Sequence, residues 1–68
     1  MPRAKKPLPQ PKPGYIYENS MSRFIVLKVD GARGRRYVHV YTTMSGRRSR
    51  IRVDAFLSNY ALRTCKTP

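Results

Sequence analysis

Two short segments, Asp30-Gly31-Ala32-Arg33-Gly34 and Met44-Ser45-Gly46-Arg47, put glycine between runs of β-branched and aromatic residues. Glycine reaches the positive φ angles that tight reversals need, so each segment reads as a turn joining two antiparallel strands. The runs they separate are short and rich in Val, Ile, Tyr and Phe, which limits most of the chain to an all-β architecture. Strands are predicted at Tyr15 to Asn19, Arg23 to Val29, Arg36 to Thr43 and Arg48 to Val53.

The register of the last hairpin follows from its pattern, since a slip of one residue would turn every core side chain outward. A four-residue loop at Met44 to Arg47 sets Val40 opposite Ile51 and Val38 opposite Val53, making one face uniformly apolar. The other face then sets Tyr41 against Arg50 and His39 against Arg52, with Arg48 beside Thr43. In the second strand Ile25, Leu27 and Val29 form one alternating set and Phe24 and Val26 another, and a bulge or strong bend would bring both into one core. Asp54 is expected to cap a helical turn through Ala55 to Tyr60, with Phe56 and Tyr60 on one face.

The ends have a different character. Residues 1–14 hold five of the six prolines, four basic residues and no acid. With few ladder donors and little to bury, they are expected to form a disordered, partly polyproline-II arm, either a solubilising leader or a ligand for a proline-reading domain. Residues 15–62 form the predicted body, and residues 63–68 a frayed basic tail. A chain of 68 residues, 40% apolar and without Trp, has material for one small core and none for a large enzyme fold.

This body, four to five short antiparallel strands with a short C-terminal helical turn, resembles the Src-homology-3-like small barrel of the Tudor and KOW type. Three segments also resemble those of small basic bacteriophage proteins: Pro13-Gly14-Tyr15-Ile16-Tyr17, Arg23-Phe24-Ile25-Val26-Leu27-Lys28-Val29-Asp30-Gly31 and Ser49-Arg50-Ile51-Arg52-Val53-Asp54. The resemblance spans residues 13–57 and implies a small barrel in a phage or mobile-element accessory factor. The internal strand glycine of a KOW element has no counterpart placed here, so the resemblance carries little toward transcription or ribosome association.

Catalytic chemistry finds no support in the residues, and the chain is read as a non-enzyme without cofactor. Glu18, Asp30 and Asp54 are scattered over a strand end, a turn and a helix start, unsuited to paired acid and base work. His39, the only histidine, has no nucleophile beside it in the hairpin. Cys65 has no disulfide partner in the chain, no Cys/His set has zinc-ligand spacing, and the thiol reads as incidental to the tail. No apolar run approaches a membrane span and no signal-type apolar segment is seen, so the expected location is intracellular, the cytoplasm or nucleoid of a bacterial host if the chain comes from a phage.

What stands out instead is charge. Fifteen Lys and Arg against three Asp and Glu give a net charge of +12, and residues 33–52 carry seven Arg and no acid. A merely solvated surface mixes signs, so this footprint points to a polyanion. Ten of the fifteen basic residues are Arg, whose planar fork bridges phosphate oxygens or stacks on bases. The candidate binding set is Arg33, Arg35, Arg36, Tyr37, His39, Tyr41, Arg47, Arg48, Arg50 and Arg52, with Lys5, Lys6 and Lys12 of the arm. The tyrosines read equally as ordinary cross-strand partners of the arginines.

The sequence therefore predicts a non-enzymatic nucleic-acid-binding protein contacting the duplex DNA backbone, with DNA favoured over RNA and single strands close behind. One rival is a protein-binding modulator of a host nucleic-acid enzyme or nucleoid protein, with Tyr15 and Tyr17 as a peptide groove. Another is a ribosome-associated structural protein. Oligomeric state is left open by the sequence.

Overall fold

The computed structural model describes residues 8–67. Five strands and one helix follow in the order β1 (Ile16–Glu18), β2 (Arg23–Ala32), β3 (Arg35–Thr42), β4 (Arg47–Arg52), α1 (Val53–Asn59) and β5 (Thr64–Lys66). The strands form one sheet, β4-β3-β2-β1-β5, in which every neighbour is antiparallel. The all-β expectation holds at this level. β4 and β5 are the two edges, and no ladder joins them among the described residues.

The β3–β4 hairpin differs from its predicted register by two residues. Val38 faces Ile51 and Val40 faces Ser49, while Tyr37, His39 and Tyr41 face Arg52, Arg50 and Arg48. The physical reason lies in the turn. Gly46 has φ +69, a left-handed angle that favours glycine, and it stands immediately before the strand resumes at Arg47. Its amide donates to the Thr42 carbonyl at 2.8 Å, so the loop runs over residues 43–46. A displacement of two leaves each side chain on its own face. Val53, expected as the last core residue of β4, is instead the first of α1 and is buried there.

β2 contains the bulge that its double alternation suggested. Val26 pairs with Val40 and Lys28 with His39, leaving Leu27 unmatched. Before the bulge Phe24 and Val26 point into the core, and after it Val29 takes that face opposite Val38. Leu27 itself is turned out and 44% exposed. At the far end of the hairpin Gly31 has φ +103, and a Cβ there would stand 2.2 Å from the Arg35 carbonyl oxygen, so only glycine fits.

The core is Tyr17, Phe24, Val26, Val38, Val40, Val53 and Phe56, under α1, which packs on β3 and β4. Phe56 meets Tyr17 edge-on at 5.1 Å and Phe24 at 5.8 Å, a preferred geometry for aromatic pairs. Asp54 does not cap the helix as expected. The N-cap is Arg52, without a side-chain cap bond, and Asp54 lies within the first turn, where its carboxylate accepts the Ala55 amide at 2.8 Å and favours the helix dipole. At the other end Asn19 donates to the Tyr60 carbonyl at 2.7 Å, tying the β1–β2 turn to the end of α1.

Both ends of the body extend beyond their predicted limits. Residues 1–7 of the expected arm lie outside the described residues, but residues 8–14 pack against the sheet. Pro11 is buried, Leu8 touches the core, and the Tyr17 hydroxyl donates to the Pro9 carbonyl. Lys12-Pro13-Gly14-Tyr15 closes a turn in which the Tyr15 amide donates to the Lys12 carbonyl at 3.0 Å, with Gly14 at φ +92. The expected frayed tail is in part β5, paired with β1 through Tyr17 opposite Cys65. Cys65 therefore packs on the core, where burial raises its thiol pKa against the opposing effect of its bond with Tyr17. Burial likewise pushes the Tyr17 hydroxyl well above the usual phenol range, so it stays protonated.

Glu18 fastens β5 to the sheet. It accepts from Arg23 at 3.2 Å on β2 and lies 3.4 Å from Lys66 on β5. Partial burial pushes its carboxyl up, but the Arg23 bond and the Lys66 and Arg23 charges outweigh it, and the net direction is down. A carboxyl lowered by folding contributes stability that is present in full above the ordinary Glu range, about 4.3, and is lost as pH falls through the lower folded value. Glu18→Gln is expected to flatten the acid side of a urea-midpoint-against-pH curve, the two proteins converging at the acid end. An unchanged acid limb would mean that these pairs contribute nothing.

Candidate nucleic-acid interface

The outward face of β2, β3 and β4 is built in rows by the ladder. Ile25, Tyr41 and Arg48 make one row, Lys28, His39 and Arg50 the next, and Asp30, Tyr37 and Arg52 the third. Alternation alone puts an aromatic column on the central strand and an arginine column on the edge strand. Six of the predicted residues, Tyr37, His39, Tyr41, Arg48, Arg50 and Arg52, are brought together here despite the shifted register. Lys28 and Asp30 belong to the same face and were not predicted. The change of alternation at Val26-Leu27 is the signal that would have found them.

The other predicted positions separate. Arg33 and Arg35 stand at the β2–β3 turn, at the end of the face. Arg36 pairs with Gly31 on the opposite side of the sheet and lines a cavity of about 440 Å³ with Gln10, Arg52 and Leu57. Arg47 pairs with Thr42 and so shares the parity of the core side chains, at the strand end. Lys12 is exposed in the turn before β1, and Lys5 and Lys6 lie outside the described residues. Tyr17 cannot form the peptide groove with Tyr15, because it is fully buried.

The electrostatics of the face depend on where the acids are spent. Glu18 is taken by Arg23 and Lys66, Asp54 by Arg52 at 3.5 Å, and Asp30 by His39 at 2.9 Å and Lys28 at 3.8 Å. Among the described residues Arg33, Arg35, Arg36, Arg47, Arg48 and Arg50 have no carboxylate partner. Arg50 instead lies 4.8 Å above the Tyr37 ring. Such a cation–π contact at a surface is worth about 0.5–1 kcal/mol and holds the guanidinium fork in place. Tyr41 leans under the turn, with its hydroxyl 3.7 Å from where a Cβ on Gly46 would stand. Both tyrosines are thus already engaged within the sheet.

No group of three or more His, Cys, Asp or Glu side chains is placed to hold a metal ion among the described residues. No helix there is long and apolar enough to cross a membrane. Comparison with known proteins finds no matching family model, no matching curated protein and no matching solved structure.

Proposed function

We propose that this chain is a non-enzymatic nucleic-acid-binding protein that lays its β2–β3–β4 face against the backbone of duplex DNA. The observation that carries the reading is the column of Arg48, Arg50 and Arg52 on an edge strand, beside an aromatic column, in which Arg48 and Arg50 have no carboxylate partner among the described residues while Arg52 pairs with Asp54 of α1. A surface of this kind binds by displacing condensed counterions and grips phosphates with little regard to sequence. Duplex is favoured over single strand because stacking on unpaired bases needs open rings, and Tyr37 lies beneath Arg50 while Tyr41 is tucked against the turn. The accompanying fold proposal is a small Src-homology-3-like barrel, in which the bulged β2, shared between β1 and β3, bends the sheet on itself and α1 covers one end. The resemblance to small phage proteins makes a phage or mobile-element accessory role part of the same proposal.

The test compares duplex DNA, single-stranded DNA and structured RNA at several salt concentrations. Duplex is expected to bind most tightly, with log affinity falling against log salt at a slope of roughly −4 to −5, for about four to six neutralised phosphates. If none of the three binds this chain better than it binds a charge-matched polylysine control, a protein partner takes precedence. The open edge of β4 favours that second reading, since an acidic extended segment would add to it as a strand.

A further inference from the structure

The bulge in β2 does more than bend the strand. Beside the extruded Leu27 the surface dips into a depression of about 340 Å³ lined by Leu27, Lys28, His39, Arg48, Ser49 and Arg50. The lining holds three cations and an imidazole, and no carboxylate, with Ser49 contributing from the opposite parity of β4. Asp30 lies outside the lining, 2.9 Å from His39 Nε2 and 3.8 Å from Lys28 Nζ, an exposed pair that an anion in the depression would compete with for the ammonium. Lys28, His39 and Arg50 are successive cross-strand neighbours on β2, β3 and β4, so the two basic residues stand on either side of the histidine along one row of the outward face. Arg48, two residues from Arg50 along β4, supplies a further edge. Arg50 is already held over Tyr37, so its fork loses little freedom on binding an anion.

An exposed leucine among three cations is the unusual part. A bare inorganic anion would use the cations and leave Leu27 uncovered, whereas a sugar-phosphate unit has an anion and an apolar carbon surface side by side. We propose that this depression seats one such unit, a tetrahedral phosphate oxyanion between Lys28, Arg48 and Arg50 with sugar carbons against Leu27. Its assignment to a nucleic-acid backbone rests on the function proposed above; the oxyanion seat does not.

The first arm of the test titrates the labelled full chain with inorganic phosphate at constant ionic strength, chloride compensating, and follows the NMR signals of Leu27, His39, Ser49 and Arg50. Saturable shifts confined to these residues are expected, with the affinity reduced about tenfold by Lys28→Gln and little changed by Arg63→Gln, which removes the same charge outside the depression. Linear shifts spread over all basic segments, or equal losses in the two variants, overturn the seat. The second arm measures duplex DNA, where Leu27→Ser is expected to weaken binding roughly threefold with unchanged melting, the side chain being exposed already. Unchanged duplex affinity in that variant overturns the sugar contact. Duplex binding that falls equally in Lys28→Gln and Arg63→Gln overturns the seat's assignment to the nucleic-acid backbone and leaves the duplex reading standing. Saturable phosphate binding by a wild-type chain that binds no duplex leaves the seat standing and removes that reading.

Discussion

Replacing Arg48 and Arg50 together by glutamine is expected to weaken duplex DNA binding roughly 100-fold at low salt, taking about tenfold for each charge-assisted hydrogen bond to phosphate that the change removes. The salt slope should flatten by about 2 at the same time, because each neutralised phosphate contributes about 0.9. Both side chains are exposed on the outward face and neither has a carboxylate partner among the described residues, so the fold has little reason to suffer. The one structural cost is the stacking of Arg50 on Tyr37, about 0.5–1 kcal/mol. Fluorescence titrations over a salt series on unrelated duplexes, beside a thermal melt, would check it. A weakening confined to one DNA sequence would indicate base reading, and an unaltered affinity would remove this face from the binding account.

Phe56→Ala is expected to cost about 3–5 kcal/mol, the range for truncating a buried phenylalanine. The ring is fully buried between the sheet and the helix and meets Tyr17, Phe24 and Tyr60. Alanine there would leave Tyr17 and Phe24 facing a void that seven helical residues cannot collapse to fill without leaving the sheet. A core of this size rarely supplies more than about 3–5 kcal/mol in total, so the variant should be largely unfolded at room temperature. Circular dichroism and urea titration would show it. A cooperative transition shifted by less than about 1 kcal/mol would mean that α1 contributes little to the fold, contrary to its central place in the core.

The two face assignments rest on different kinds of information in the chain. Alternation from Tyr37 to Tyr41 and from Arg48 to Arg52 is local and has a period of two, so it survived a two-residue change of register. Which residues share the arginine and tyrosine face was therefore readable before any partner strand was known. The turn position was less legible, because Met44-Ser45-Gly46-Arg47 admits more than one placement of the left-handed residue, and only the pairing across the hairpin selects Gly46 before Arg47. Charge alone groups Arg36 and Arg47 with the face, whereas their parity sets them on its other side.

By itself the sequence determined the β class, the alternation of faces, the excess of arginine over available acids and the need for a bulge or strong bend in the second strand. These are properties of neighbouring residues and of composition, and they do not wait on distant contacts. Tertiary structure decided that Leu8 to Gly14 and Thr64 to Lys66 belong to the fold, since neither segment has enough apolar character to signal it alone. Each is recruited by a surface that exists only once β1 is in place: Pro9 by the Tyr17 hydroxyl, Lys66 by the Glu18 carboxylate and Cys65 by its pairing with Tyr17. It also decided that Leu27 faces outward beside Lys28, His39 and Arg50, because a bulge has a direction only relative to the strand it fails to match.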